Sequence, residues 1–202
     1  MSARIAVIDY DLGNLPSVTK ALERVGAEPL IVDRGGDLDA SFDALVLPGV
    51  GHFGAGARNL NDRGFSGPLR DWAADERPLL GICVGLQLFF ERSEEDPDAR
   101  GLGIVPGEVR RLKADKVPHM GWNTVDVSGE PGVLCAVAPD DMVYFVHSYY
   151  VDPEPSYVVG STTYGQTFCS ALERGPLVGV QFHPEKSADV GRRVLERFVG
   201  SL

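Results

Sequence analysis

The sequence predicts an α/β fold, a mostly parallel sheet covered on both faces and carrying an antiparallel extension. Three observations predict it. Short apolar runs without polar alternation recur through the first half, as in strands buried on both sides. Stretches with apolar residues at helical spacing separate some of these runs, the grammar of a doubly covered sheet. After Gly101 the pattern changes to successive strand-like segments punctuated by Pro and Gly, as antiparallel or mixed pairing would give.

The elements follow in chain order. Residues 4–9 contain the run Ile5-Ala6-Val7-Ile8, a strand. Asn14-Leu15-Pro16 then opens a helix with Leu15, Val18, Leu22 and Val25 on one face, and Gly26 stops it. Leu30-Ile31-Val32 and Ala44-Leu45-Val46-Leu47 read as the next two strands. A helix around residues 69–76 precedes Pro78-Leu79-Leu80-Gly81-Ile82-Cys83, a further strand, and residues 86–90 continue as a helix. Residues 92–100 hold one small apolar residue and read as an exposed loop. Strands are expected at 109–112, 124–127, 143–151, 157–163 and 177–182. A closing helix at 189–199 places Val190, Val194, Leu195 and Phe198 on one face. The 202 residues are enough for one domain, 1–202, with a sizeable core.

Charge and composition exclude several classes. With 19 Lys and Arg against 29 Asp and Glu, the net charge is −10, leaving little basic surface to neutralise nucleic-acid phosphates or an anionic membrane. The apolar runs fall far short of the roughly 18 residues that span a bilayer, and the N-terminal run ends at Asp9, too short for a signal peptide. The expected location is the cytoplasm. Cys83, Cys135 and Cys169 are odd in number, without a Cys-x-x-Cys pair, so neither a disulfide framework nor a metal site is expected.

In open α/β sheets, ligands sit at the carboxyl ends of the strands, and three motifs fall there. Gly81-Ile82-Cys83-Val84-Gly85 crosses from strand to helix. Small residues two before and two after a nucleophile let neighbouring backbones approach a strained turn that lifts the side chain above the sheet. The following helix N-terminus favours a thiolate, and the N–H of Val84 is placed to stabilise an oxyanion. Taken alone, the pentapeptide fits a reactive cysteine and a packed free thiol equally. Cys135 and Cys169 lack flanking glycines and read as packing residues. His183-Pro184-Glu185 follows the last strand, so one imidazole nitrogen can meet Glu185 while the other faces a thiol; a surface histidine beside a solvated glutamate is the other reading. His52, His119 and His147 lack such a carboxylate and suit binding or packing. Leu47-Pro48-Gly49-Val50-Gly51 adds a glycine-flanked loop able to aim backbone N–H groups at a ligand.

Gly-Ile-Cys-Val-Gly-Leu-Gln at 81–87, with His183-Pro184-Glu185 a hundred residues on, resembles the class I glutamine amidotransferases, whose fold is flavodoxin-like. The resemblance covers nearly the whole chain. It narrows through Ile-Asp-Tyr-Asp-Leu-Gly-Asn at 8–14, Pro-Gly-Val-Gly-His-Phe-Gly at 48–54, Pro-His-Met-Gly-Trp-Asn at 118–123 and His-Pro-Glu-Lys-Ser at 183–187 to the glutaminase subunits of imidazole glycerol phosphate synthases. It implies that Cys83 is the nucleophile, His183 the general base and acid, and Glu185 the residue that orients His183. It further implies a glutamine site at Gly51, Gln87 and Glu95, an oxyanion hole from the backbone of Val50 and Val84, and no cofactor or metal. Val84 stands where these proteins often have Leu, which leaves the backbone donor intact. The implied partner is a (β/α)₈-barrel cyclase subunit, forming a heterodimer that passes ammonia onward, with Met120, Trp122, Tyr144 and Lys186 at or near the shared face; core packing for the aromatics and a solvated Lys186 is the other reading. A glutaminase for another synthase, a free-standing γ-glutamyl hydrolase and a non-catalytic module of the same fold remain open from sequence.

Overall fold

The computed structural model describes residues 2–202. Strand β1 (Arg4–Ile8) leads into helix α1 (Leu15–Arg24), where Pro16 occupies the first turn, whose N–H groups lack helical acceptors in any case. Strands β2 (Glu28–Val32) and β3 (Ala44–Gly49), helices α2 (Phe53–Asp62) and α3 (Ser66–Ala74), strand β4 (Leu79–Cys83) and the single-turn helix α4 (Val84–Gln87) complete the first half. Strands then dominate: β5 (Gly107–Arg111), β6 (His119–Thr124), β7 (Asp126–Val127), β8 (Met142–His147), β9 (Tyr149–Pro153), β10 (Val158–Tyr164), β11 (Gln166–Arg174) and β12 (Leu177–Val180). Helix α5 (Ala188–Gly200) closes the chain on buried Val194, Leu195 and Phe198.

The main sheet runs β2-β1-β3-β4-β12-β11-β10-β7. Its first five strands are parallel, while β11, β10 and β7 continue it antiparallel, with β9 and β5 branching from β11. This is the predicted class. Every residue of β3, β4 and β12 is buried, in keeping with their unalternated apolar runs; β2, at the edge, leaves Ile31 55% exposed. Register fixes what meets at the carboxyl ends. Gly49 lies opposite Cys83 and Val180 opposite Ile82, so the segments after β3, β4 and β12 emerge side by side. A separate antiparallel ribbon of β6 and β8 stands over this edge, tied to it by the bond from His183 N–H to the Tyr144 carbonyl, 2.9 Å.

Helix α2, strand β11 and most of strand β6 depart from the sequence reading by addition. Helix α2 forms despite glycines at 54 and 56, because tight packing needs them: a Cβ on Gly54 would overlap the Asp96 carboxylate. Strand β11 lies centrally between β10 and β12, although Cys-Ser-Ala-Leu carries no β-branched signal. The expected strand at 143–151 breaks at Ser148 into β8 and β9, and 124–127 straddles the end of β6 and the start of β7. Cys135 requires a correction. Its apolar surroundings form a 3₁₀ turn, which buries Leu134 and leaves Cys135 exposed, so it is not a packing residue; Cys169 is buried as expected.

Candidate active site

Strand β4 ends at Cys83 with φ 54° and ψ −111°, a left-handed conformation that L residues rarely hold. The flanking glycines make it sterically feasible. A Cβ on Gly81 would stand 2.6 Å from Phe89 Cζ, and one on Gly85 would overlap the Leu47 carbonyl oxygen. The turn therefore presents Cys83 at the sheet edge, and Val84 N–H opens the next helical turn without an internal acceptor.

Three residues past Val180, the β12 segment delivers His183. Its Nδ1 lies 2.8 Å from Glu185 Oε1, with the two side chains only 1% and 2% exposed. A carboxylate only accepts, so Nδ1 carries the proton and Nε2 is left as the working nitrogen. That Nε2 is buried and has no protein hydrogen-bond partner among the described residues. Burial alone would lower the imidazole pKa, but interaction with Cys83 and with Glu185 outweighs it and raises His183 to about 9. Ser187 braces the turn, its hydroxyl donating to the His183 carbonyl at 2.6 Å and accepting from Tyr144 N–H at 3.0 Å.

Cys83 and His183 face a cleft of about 220 Å³ that Val50, Gly51, Val84, Gln87 and Glu95 also line. Seven of the eight residues singled out from sequence meet there, and Glu185 stands behind His183. Glu95 comes from the 92–100 loop, which turns Ser93 and Ala99 inward; Glu95 Oε2 accepts from Phe53 N–H at 2.6 Å, joining the loop to the start of α2. His52 caps the same helix through Gly54 N–H. Gly51 holds φ 98°, and Val50 N–H donates to the Leu12 carbonyl at 3.3 Å, so in this conformation that donor is engaged outside the cleft.

Residues 6–201 match the family Glutamine amidotransferase class-I. The chain belongs to that family. Among curated amidotransferases, it is 48% identical over 191 residues to "Imidazole glycerol phosphate synthase subunit HisH" of Carboxydothermus hydrogenoformans, covering 94% of this chain and 96% of that protein. It is 50% identical over 201 residues to the protein of the same name from Microcystis aeruginosa, covering 96% and 94%. In fold it is similar to the structure of PurLQS from Thermotoga maritima, with a TM-score of 0.81 at 18% identity over 100% of this chain and 99% of that one.

Several residues in this amidotransferase site escaped the sequence reading. Gln181 is fully buried beside Cys83, and only its place two residues before His183 hinted at it. Tyr10 packs its hydroxyl, which has no partner among the described residues, against Gly49, and burial together with the Cys83 charge pushes its pKa up. His119 and His147, read as binding or packing residues, form a buried pair, Nδ1 to Nε2 at 3.0 Å, with His147 lining the cleft. Burial lowers their pKa values to about 4 and about 3. No helix among the described residues is long and apolar enough to cross a membrane.

Proposed function

We propose that this single amidotransferase domain is the glutaminase subunit of an imidazole glycerol phosphate synthase, hydrolysing glutamine through Cys83, His183 and Glu185 and passing ammonia to a cyclase subunit. The observation that carries the catalytic reading is the junction of a strained, glycine-flanked Cys83 with the buried His183–Glu185 pair at one cleft. The relatives' names support the choice of synthase.

The chemistry follows from the geometry. With its value raised to about 9, the His183 imidazole holds its proton at neutral pH and supplies positive charge at the cleft where Cys83 attacks. The thiolate attacks the side-chain amide carbon of glutamine, and His183 Nε2 protonates the departing ammonia. The now neutral imidazole draws a proton from water, whose hydroxide adds to the γ-glutamyl thioester; breaking the C–S bond frees glutamate and restores the Cys83 thiolate beside protonated His183. Glu185 keeps the proton on Nδ1 throughout. Val84 N–H serves the tetrahedral oxyanion. Gly51, Gln87 and Glu95 hold the substrate: the donors of Gln87 Nε2 are engaged by Tyr149 O and Gln181 Oε1, leaving Gln87 Oε1 for glutamine.

Ammonia released into water at pH 7 would be protonated, so productive transfer needs a sheltered acceptor. The outer face of the β6/β8 ribbon supplies a docking surface in this reading: Met120 and Trp122 are 63% and 49% exposed, Trp122 pairs across to Tyr144, and the Lys186 ammonium lies 6.0 Å from the Tyr144 ring centre. The same ribbon lends Val146 and His147 to the cleft wall. A (β/α)₈-barrel cyclase seated there would form a heterodimer over the site. Gating has a physical handle in Val50, whose N–H must leave Leu12 and turn inward to complete the oxyanion hole; glycines on both sides make that peptide rotation cheap. The three free thiols fit a reducing compartment, and the reading carries a cytoplasmic location.

Glutamate release from glutamine by the chain alone, and with the cyclase subunit plus its phosphorylated ribulose ligand, tests the proposal. Strong stimulation only in the full mixture is expected. Brisk turnover by the chain alone would favour an independent hydrolase, and silence in both would remove the assignment.

A further inference from the structure

Resting on the reading of Cys83 as nucleophile, a directed hydrogen-bond chain assigns a role to Gln181. Its starting point is a carbonyl, which can only accept. The Tyr149 carbonyl oxygen takes Gln87 Nε2 at 3.0 Å, so the Gln87 atom there is the amide nitrogen. The same nitrogen lies 3.1 Å from Gln181, whose facing atom is therefore the acceptor Oε1. The other end of the Gln181 amide is then the nitrogen, and it lies 3.6 Å from Cys83 Sγ. No free choice of amide orientation remains. The second lone pair of Tyr149 O faces His147 Nδ1 at 2.9 Å; with Nδ1 protonated, His147 Nε2 accepts from His119 Nδ1, and His119 Nε2 faces Asn123 Nδ2 at 3.4 Å. The hub carbonyl is thus saturated from both sides, and its buried partners hold it still.

We propose that Gln181 is a further catalytic residue, donating its side-chain N–H to the Cys83 sulfur and holding the thiolate toward the cleft, with the amide orientation imposed through Gln87 by the Tyr149 carbonyl. Gln181 is 0% exposed, so water does not compete for the sulfur from that side. The competing acceptor for the thiol, the Val146 carbonyl, stands 3.9 Å from Sγ, where a weak S–H donor gains little. A donor fixed to the sulfur from the buried side leaves its other lone pairs for the cleft, which Cys83 and His183 both line.

The test uses two variants and an internal reference. Gln181→Met removes both groups at similar volume without adding charge and decides the question; Gln181→Glu still accepts from Gln87 but sets a carboxylate in place of the donor, so charge repulsion adds to the loss of the bond. Cys83 alkylation by iodoacetamide is followed from pH 6 to 10 by mass spectrometry, with exposed Cys135 in the same molecule as the reference thiol. Both variants should alkylate Cys83 about tenfold more slowly at pH 7, with profiles displaced to higher pH, an unchanged Cys135 rate and a parallel fall in kcat. Unchanged Cys83 profiles would overturn the proposal. Should either variant fail to fold, the wild-type chain decides by NMR: the Gln181 side-chain amide resonance moves when Cys83 is alkylated, and a fixed resonance counts against the bond. If the wild-type chain with cyclase subunit and ligand releases no glutamate, the functional reading falls, and the alkylation result is read independently of it.

Discussion

Acidification from pH 7 to pH 5 should destabilise the fold through His119 and His147. The two rings are buried and linked Nδ1 to Nε2 at 3.0 Å, and His119 is stacked between Phe145 and Tyr164 at 4.7 and 4.1 Å. Either ring can take a second proton only by turning a donor toward a donor or by leaving the stack, which is why burial holds them at about 4 and about 3 against roughly 6.5 in an unfolded chain. Because the folded values lie below the unfolded one, the unfolded chain binds more protons in this window. The stabilisation is complete above about 6.5 and is lost as pH falls toward the folded values. Each ring then costs ~1.4 kcal/mol per pH unit, or about 4 kcal/mol for both at pH 5, a large share of a typical 5–15 kcal/mol. His183 does not offset this: with its value raised to about 9, its contribution is fully present below about 6.5 and disappears only as pH rises through 9. Urea unfolding at pH 7, 6 and 5 measures the slope. His119→Phe keeps a stacked ring and should lose about half of it. A stability independent of pH over this range, or a full slope in His119→Phe, would refute the reasoning.

Three further outcomes follow from the site. Glu185→Gln removes the charge that holds the His183 imidazolium, an interaction worth ~1.5–3 kcal/mol, so kcat in the complete enzyme should drop roughly 10- to 150-fold. Because Glu185 stands behind the cleft, KM for glutamine should hardly move; a change in KM alone would contradict its assigned place. Tyr10→Phe deletes a buried hydroxyl with no partner among the described residues, so the melting temperature should hold or rise by a few degrees, and a clear fall would reveal a bond not seen in this conformation. Gly51→Val imposes a β-branched residue at φ 98°, where a Cβ would stand 3.8 Å from Leu12 Cδ2, an ordinary contact, so strain rather than crowding acts and it should depress the partner-stimulated rate far more than the basal rate; equal losses would count against a turning peptide.

Much of the sheet was legible because burial on both faces writes continuous apolar runs, as in Ala44-Leu45-Val46-Leu47 and Leu79-Leu80, and ligand sites follow the ends of such strands. Cys83 was legible because its left-handed turn needs small neighbours that the sequence displays as Gly81 and Gly85. Helix α2 and strand β11 were not. Their local propensities oppose them, and tertiary contacts decide: Asp96 crowds Gly54, and β10 and β12 flank residues 166–174. Gln181 carried only the hint of its place two residues before His183, because glutamine at the end of a buried strand declares chemistry only when its neighbours are known. The orientation of its amide depends on Tyr149 and Gln87, both distant in sequence. Cys135 misled for the opposite reason, since an apolar run marks burial of the segment but not which side of a 3₁₀ turn faces water.

The most direct test of the central claim is Cys83→Ala in the complex with the cyclase subunit, assayed with glutamine and, separately, with ammonia as nitrogen source. Glutamine-dependent synthesis should vanish while ammonia-dependent synthesis continues at the wild-type rate, because the nucleophile serves only to release ammonia. Persistence of the glutamine-driven reaction would contradict the account at its root.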